Sequence, residues 1–154
     1  MGLGCFFIIA IAGNTDQYEP KNILLFFALI WTNNSFAYLV GKKVGKKPLF
    51  SRISPNKTWE GFAGGFAFAI IMGFILDQYV YVDAGYAPYF WMKSAIFIAP
   101  AAVAGDLFQS ALKRKMKVKD TGTIMPGHGG VLDRFDAMLF ALPVFYVLLY
   151  FDVI

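Results

Sequence analysis

The chain has 154 residues, 58% of them hydrophobic and 16% charged, with a formal net charge of +4. Soluble domains average roughly 45–50% apolar and about 25% charged residues, so this composition excludes an ordinary soluble domain and points to a membrane protein. A single cysteine, Cys5, excludes an intrachain disulfide and a cysteine-rich metal cluster.

The opening MGLGCFFIIAIAG lacks the basic start of a signal peptide. At about a dozen apolar residues it is short of the roughly 20 that cross a bilayer, so it reads as a partial span over about 1–12. Four longer segments approach the required length: 22–41, 62–82, 90–112 and 135–154. Pro100 and Pro143 fall inside two of them, and spanning helices accommodate such prolines as kinks. The small residues of GFAGGFAFA (61–69) would let helices approach closely. The expected fold class is all-α: a polytopic integral-membrane helical bundle with polar loops, forming one domain over 1–154.

Lys42, Lys43, Lys46, Lys47, Arg52 and Lys57 lie in one loop, and Lys113, Arg114, Lys115, Lys117, Lys119 and Arg134 in another. Two spans separate these loops, which puts both on one side, and the positive-inside rule makes that side cytoplasmic. The opposite loops hold Lys21 against Asp16, Glu19 and Asp83. Basic loops so placed are explained by orientation and attraction to anionic lipid; no nucleic-acid partner is expected.

Orientation alone does not account for the carboxylates, glycines and sole histidine of SALKRKMKVKDTGTIMPGHGGVLDRFD (110–136). Asp106 sits inside the third long segment, where a carboxylate is costly and points to function. Asp133 and Asp136 share a helix face by their spacing, and at a helix N-terminus one of them could simply cap it. Together with Asp106 they also suit Mg²⁺ or a similar hard cation. Gly127, Gly129 and Gly130 expose backbone for phosphate groups. Ser54, Lys57 and Thr58 could join from the other basic loop. His128 is open to either a structural hydrogen-bonding or a catalytic role.

The 110–136 segment resembles the long motif of CDP-diacylglycerol synthases, also called phosphatidate cytidylyltransferases: Ser, Lys-Arg, Lys-Asp, Pro-Gly-His-Gly-Gly, then Asp-Arg-x-Asp. RISPNKTWEGFAGG (52–65), GDLFQS (105–110) and AYLVGKKVGKKPLF (37–50) agree as well. The resemblance covers about residues 30–145. It implies an integral enzyme of a bacterial-type inner membrane, its active site facing the cytoplasm. That enzyme joins CTP to phosphatidic acid, releases pyrophosphate, and uses Mg²⁺ with a second cation, K⁺ being the candidate. Asp106, Asp133 and Asp136 match the metal-binding carboxylates, and with Lys113, Arg114, His128 and Arg134 they form the implied catalytic set. Ser54, Lys57, Thr58, Ser110, Lys119, Asp120, Gly129 and Gly130 match positions around the substrates. Asn34 and Gln109 stand where the family usually has Asp and Glu, keeping shape while removing charge. Members normally carry further N-terminal spans, which the resemblance implies here too, and a homodimer is left open. Three rivals stand beside this reading: a CTP-dependent lipid-alcohol kinase, a catalytically silent lipid-binding homologue, and a transporter, since intramembrane carboxylates also mark ion pathways.

Overall fold

The computed structural model describes residues 2–12, 20–51, 53–84, 87–116 and 137–152. Five helices and one hairpin follow in chain order: α1 Gly2–Ala12, α2 Lys21–Val44, β1 Pro48–Phe50, β2 Ser54–Thr58, α3 Trp59–Ala84, α4 Phe90–Lys115 and α5 Met138–Asp152. Three of these, α2, α3 and α4, are long and apolar enough to cross a membrane. The fourth expected long span appears as α5, whose 15 residues rise only about 22 Å against a hydrocarbon core of about 30 Å. The acidic residues Asp16 and Glu19 of the expected opposite loop lie outside the described residues.

Apolar chains gain nothing by leaving lipid for one another, so helices in a bilayer associate through close packing and hydrogen bonds. The bundle uses both. Gly61, Gly65, Ala69, Gly73 and Asp77 recur every fourth residue of α3. Each such step over-rotates by about 40° on a 3.6-residue helix, so the stripe begins against α2 and ends against the start of α4. A Cβ at Gly65 would lie 2.5 Å from the Asn33 carbonyl oxygen, and one at Gly61 would lie 2.6 Å from that of Ala37. At the far end, a Cβ at Gly73 would meet the Trp91 carbonyl oxygen at 2.6 Å.

Asp77 closes the stripe with a hydrogen-bonding role. Tyr89, the N-cap of α4, gives that helix no side-chain acceptor. Asp77 supplies it from α3, accepting the backbone N–H of Trp91 and of Met92, both at 2.9 Å. A carboxylate at a helix N-terminus also meets the positive end of its dipole. On the same half of the bundle, Phe145 of α5 stacks on Phe26 of α2 at 5.0 Å and packs against Trp91 of α4 at 5.6 Å. Phe7 of α1 joins through Tyr146 of α5 at 5.5 Å.

The loop between α2 and α3 is more ordered than a plain polar linker. β1 and β2 pair antiparallel, Pro48 opposite Thr58 and Phe50 opposite Ser54. Glu60, in the first turn of α3, accepts the backbone N–H of Lys46 at 3.1 Å and of Lys47 at 3.3 Å. The Trp59 N–H bonds the Lys47 carbonyl at 3.0 Å. The hairpin is thereby fastened to the junction of α2 and α3, which fixes where β2 presents its side chains.

Candidate active site

A cavity of about 630 Å³ opens between α2, the hairpin and α4. Asn34, Tyr38 and Lys42 line it from α2, one turn apart along the helix. The Lys42 ammonium lies 5.8 Å from the centre of the Tyr38 ring. From β2 come Ser54, Asn56, Lys57 and Thr58, while α4 contributes Val103 and Asp106.

The charged centre is a pair. The Lys57 ammonium donates to Asp106 Oδ2, joining β2 to α4. The Ser110 hydroxyl, one turn along α4, donates to Asp106 Oδ1 at 3.5 Å. A carboxylate within a span is costly unless paired, and Lys57 meets that demand. Gly41 and Gly61 bring α2 and α3 together behind this centre, each within 3.1 Å of Thr58 Oγ1 if a Cβ were added.

Several expected site residues converge here: Asp106, Ser54, Lys57 and Thr58 share the cavity. Two have roles the sequence did not suggest. The Thr58 hydroxyl oxygen accepts the Gly61 N–H at 3.1 Å and so caps α3, and Ser110 steadies Asp106. Lys113 and Arg114 occupy the last turn of α4, nearer the membrane surface than Asp106, where cations also favour the negative end of the helix dipole. Lys119, Asp120, His128, Gly129, Gly130, Asp133, Arg134 and Asp136 lie outside the described residues. The wall residue Asn34 entered the sequence reading only as a departure from a family pattern. The signal that marks it is Thr32-Asn33-Asn34-Ser35, a polar run in the middle of an apolar span.

Asp106 turns a hard oxygen donor toward an open cavity. Mg²⁺ typically takes one or two protein carboxylates and fills the rest of its shell with water and substrate phosphate, so the residues present fit such an ion. Among the described residues no group of three acidic, His or Cys side chains gathers; further protein donors would come from the segment holding Asp133 and Asp136.

The model of the cytidylyltransferase family matches residues 1–152. The chain belongs to the cytidylyltransferase family. Its relatives include the phosphatidate cytidylyltransferase of Bacillus subtilis, 43% identical over 145 residues, which are 94% of this chain and 53% of that protein. That of Staphylococcus saprophyticus is 41% identical over 152 residues, 94% of this chain and 58% of that protein. That of Aquifex aeolicus is 42% identical over 127 residues, 82% of this chain and 46% of that protein. The chain thus spans about half the length of the curated relatives it matches. A solved intramembrane enzyme for archaeal membrane lipids biosynthesis has the same fold, with a TM-score of 0.62 at 21% identity, covering 82% of this chain and 77% of that one. This cytidylyltransferase-family chain is an integral membrane protein, its helical bundle carrying, among the described residues, only a two-stranded sheet.

Proposed function

We propose that this chain forms the catalytic part of a CTP:phosphatidate cytidylyltransferase. It would join CTP and phosphatidic acid into CDP-diacylglycerol and pyrophosphate at the cytoplasmic face of the membrane. The observation that carries this reading is the pairing of Lys57 with Asp106 in a cavity lined by spanning helices and the basic hairpin. The names of the relatives support it.

In the reaction, a phosphate oxygen of phosphatidic acid attacks the α-phosphorus of CTP. A new P–O bond forms, the bond to the bridging oxygen of the β-phosphate breaks, and pyrophosphate leaves in line. No covalent nucleophile is needed from the protein, because the lipid phosphate is already an anion at neutral pH. Both reactants are polyanions, so the protein's task is to bring them together against their repulsion and hold them in line. Lys42 and Lys57 would draw phosphates to the cavity, with Lys113, Arg114 and Arg134 as further clamps; arginine suits bidentate phosphate contact. Asp106, Asp133 and Asp136 would hold Mg²⁺ and a second cation, which supply charge neutralisation at the transferring phosphoryl group. Ser110 would keep the Asp106 carboxylate turned toward the cavity. The lipid reaches the cavity sideways from the bilayer, and CTP reaches it from the cytoplasm.

The test is product analysis with the full-length protein in detergent, supplied with CTP and phosphatidic acid. Pyrophosphate and CDP-diacylglycerol are expected. Release of CDP with a lipid alcohol as acceptor would establish the kinase reading instead, and binding of either substrate without turnover would establish the silent homologue.

A further inference from the structure

Asn34 and its neighbour form a polar device in the middle of α2 that the phosphate chemistry above does not use. Asn33 is 1% exposed, and its Nδ2 donates to Asn34 Oδ1 at 3.3 Å. Holding Asn34 leaves Asn33 Oδ1 buried without a hydrogen-bond partner, a state that costs on the order of 1–3 kcal/mol. Unpartnered buried polar atoms in native proteins call for an explanation. With its oxygen engaged, Asn34 has its amide N–H₂ left to serve the cavity it lines, and among the described residues nothing accepts from it.

The stripe along α2 sets the chemistry of what would. Lys42 is in the last turn of α2, Tyr38 one turn before it, and Asn34 two turns before it, about 12 Å along the helix from the lysine. Cations suit phosphate at that end of the helix. At Asn34 the α2 donor is neutral, and α4 adds the apolar Val103 to the lining. A neutral N–H matches a neutral oxygen, and a carbonyl is the acceptor that both substrates carry away from their phosphates.

We propose that Asn34 reads substrate: its Nδ2 donates a hydrogen bond to a carbonyl oxygen lying further along α2 from its basic end than the phosphates, with Asn33 as the positioning residue. This rests on the cytidylyltransferase reading for the identity of the substrates. The carbonyl is either an acyl ester of the lipid or that of the cytosine ring. The test compares dioleoyl phosphatidate with its dialkyl ether analogue in the full-length protein, unaltered and as Asn34→Leu. If the ester is read, the unaltered protein prefers the diacyl lipid by about 2- to 10-fold in kcat/KM, as one hydrogen bond supplies. Asn34→Leu then loses that factor on the diacyl lipid and nothing further on the ether. If the base is read, Asn34→Leu raises KM for CTP by a similar factor with both lipids. Unchanged kinetics overturn the proposal, as does a loss shared by both lipids at unchanged KM for CTP.

Asn34→Asp, of the same shape but without the donor, repeats the contrast should the leucine variant fold poorly. Asn33→Leu should abolish the same discrimination while leaving the unfolding temperature unchanged or raised; discrimination retained in that variant would remove Asn33 from the device. Equilibrium binding of each lipid, and of CTP, reads the Asn34 contrast without turnover. A protein that binds with this discrimination yet makes no CDP-diacylglycerol would sink the reaction and keep the contact.

Discussion

Removing the Lys57 ammonium should destabilise the protein through Asp106, and a double-mutant cycle measures by how much. Exposed ion pairs are worth about 0.2–1 kcal/mol, whereas breaking a fully buried one costs about 3–5 kcal/mol because a charge is stranded. The side chains of Lys57 and Asp106 are 30% and 36% exposed. The pair therefore lies between these limits, and a coupling of about 1–2 kcal/mol is expected. The cycle uses Lys57→Met, Asp106→Asn and the double variant, each followed by thermal unfolding in detergent without substrate. Lys57→Met should be the more damaging single change, since it leaves the carboxylate unpaired. Asp106→Asn leaves an ammonium on a hairpin near the surface, where water can reach it. Adding Asp106→Asn to Lys57→Met should recover much of the loss. Additivity within about 0.5 kcal/mol is the ordinary result for uncoupled sites, and finding it here would refute the idea that this pair joins β2 to α4.

Three further outcomes follow from the packing and from the charge pattern. Asp77→Ala strips the acceptor from two amides at the start of α4 and should cost about 2–4 kcal/mol; Asp77→Asn keeps one acceptor oxygen and should cost about half as much in the same unfolding assay. Gly65→Val forces atoms into the 2.5 Å gap before the Asn33 carbonyl and should cost about 1–3 kcal/mol by overpacking; a fully stable variant would show that α2 and α3 are not in this contact. In a chain carrying Cys5→Ala, Lys115→Cys should react with a membrane-impermeant thiol reagent only from the cytoplasmic side, and Ala87→Cys only from the other; the reverse pattern would invert the proposed orientation.

The long helices were legible because a span needs about 20 apolar residues and that length stands out in any reading of the chain. Asp106 was legible for a related reason: a carboxylate inside such a segment is conspicuous. Its partner was legible only in part: Lys57 could be placed near the site with Ser54 and Thr58, but its pairing with Asp106 depends on the hairpin that carries it to α4. That hairpin has no alternating apolar pattern to announce it; backbone bonds and the grip of Glu60 hold it in place. The work of Asp77 is non-local, capping a helix fourteen residues further on, and no pattern around it announces that role. The glycines of 61–69 pointed to close helix contact, and the Gly61 and Gly65 approaches to α2 bear that out. Which helix they would meet depended on the drift of a four-residue stripe around a 3.6-residue helix. Asn34 was noticed for what it replaces; its burial neighbour and its place on the cavity wall give it a use.

The claim on which the account turns is that Asp106, Asp133 and Asp136 gather a divalent cation. The most direct measurement is Mn²⁺ binding to the substrate-free, full-length protein, followed by electron paramagnetic resonance, because Mn²⁺ accepts the same oxygen ligands as Mg²⁺. Changes one shell further out already weaken metal sites about 10- to 100-fold, so Asp106→Asn, Asp133→Asn and Asp136→Asn should each weaken binding by about tenfold or more, with Asp77→Asn unchanged. Undiminished Mn²⁺ binding in the Asp106→Asn protein, or in both Asp133→Asn and Asp136→Asn, would contradict the account.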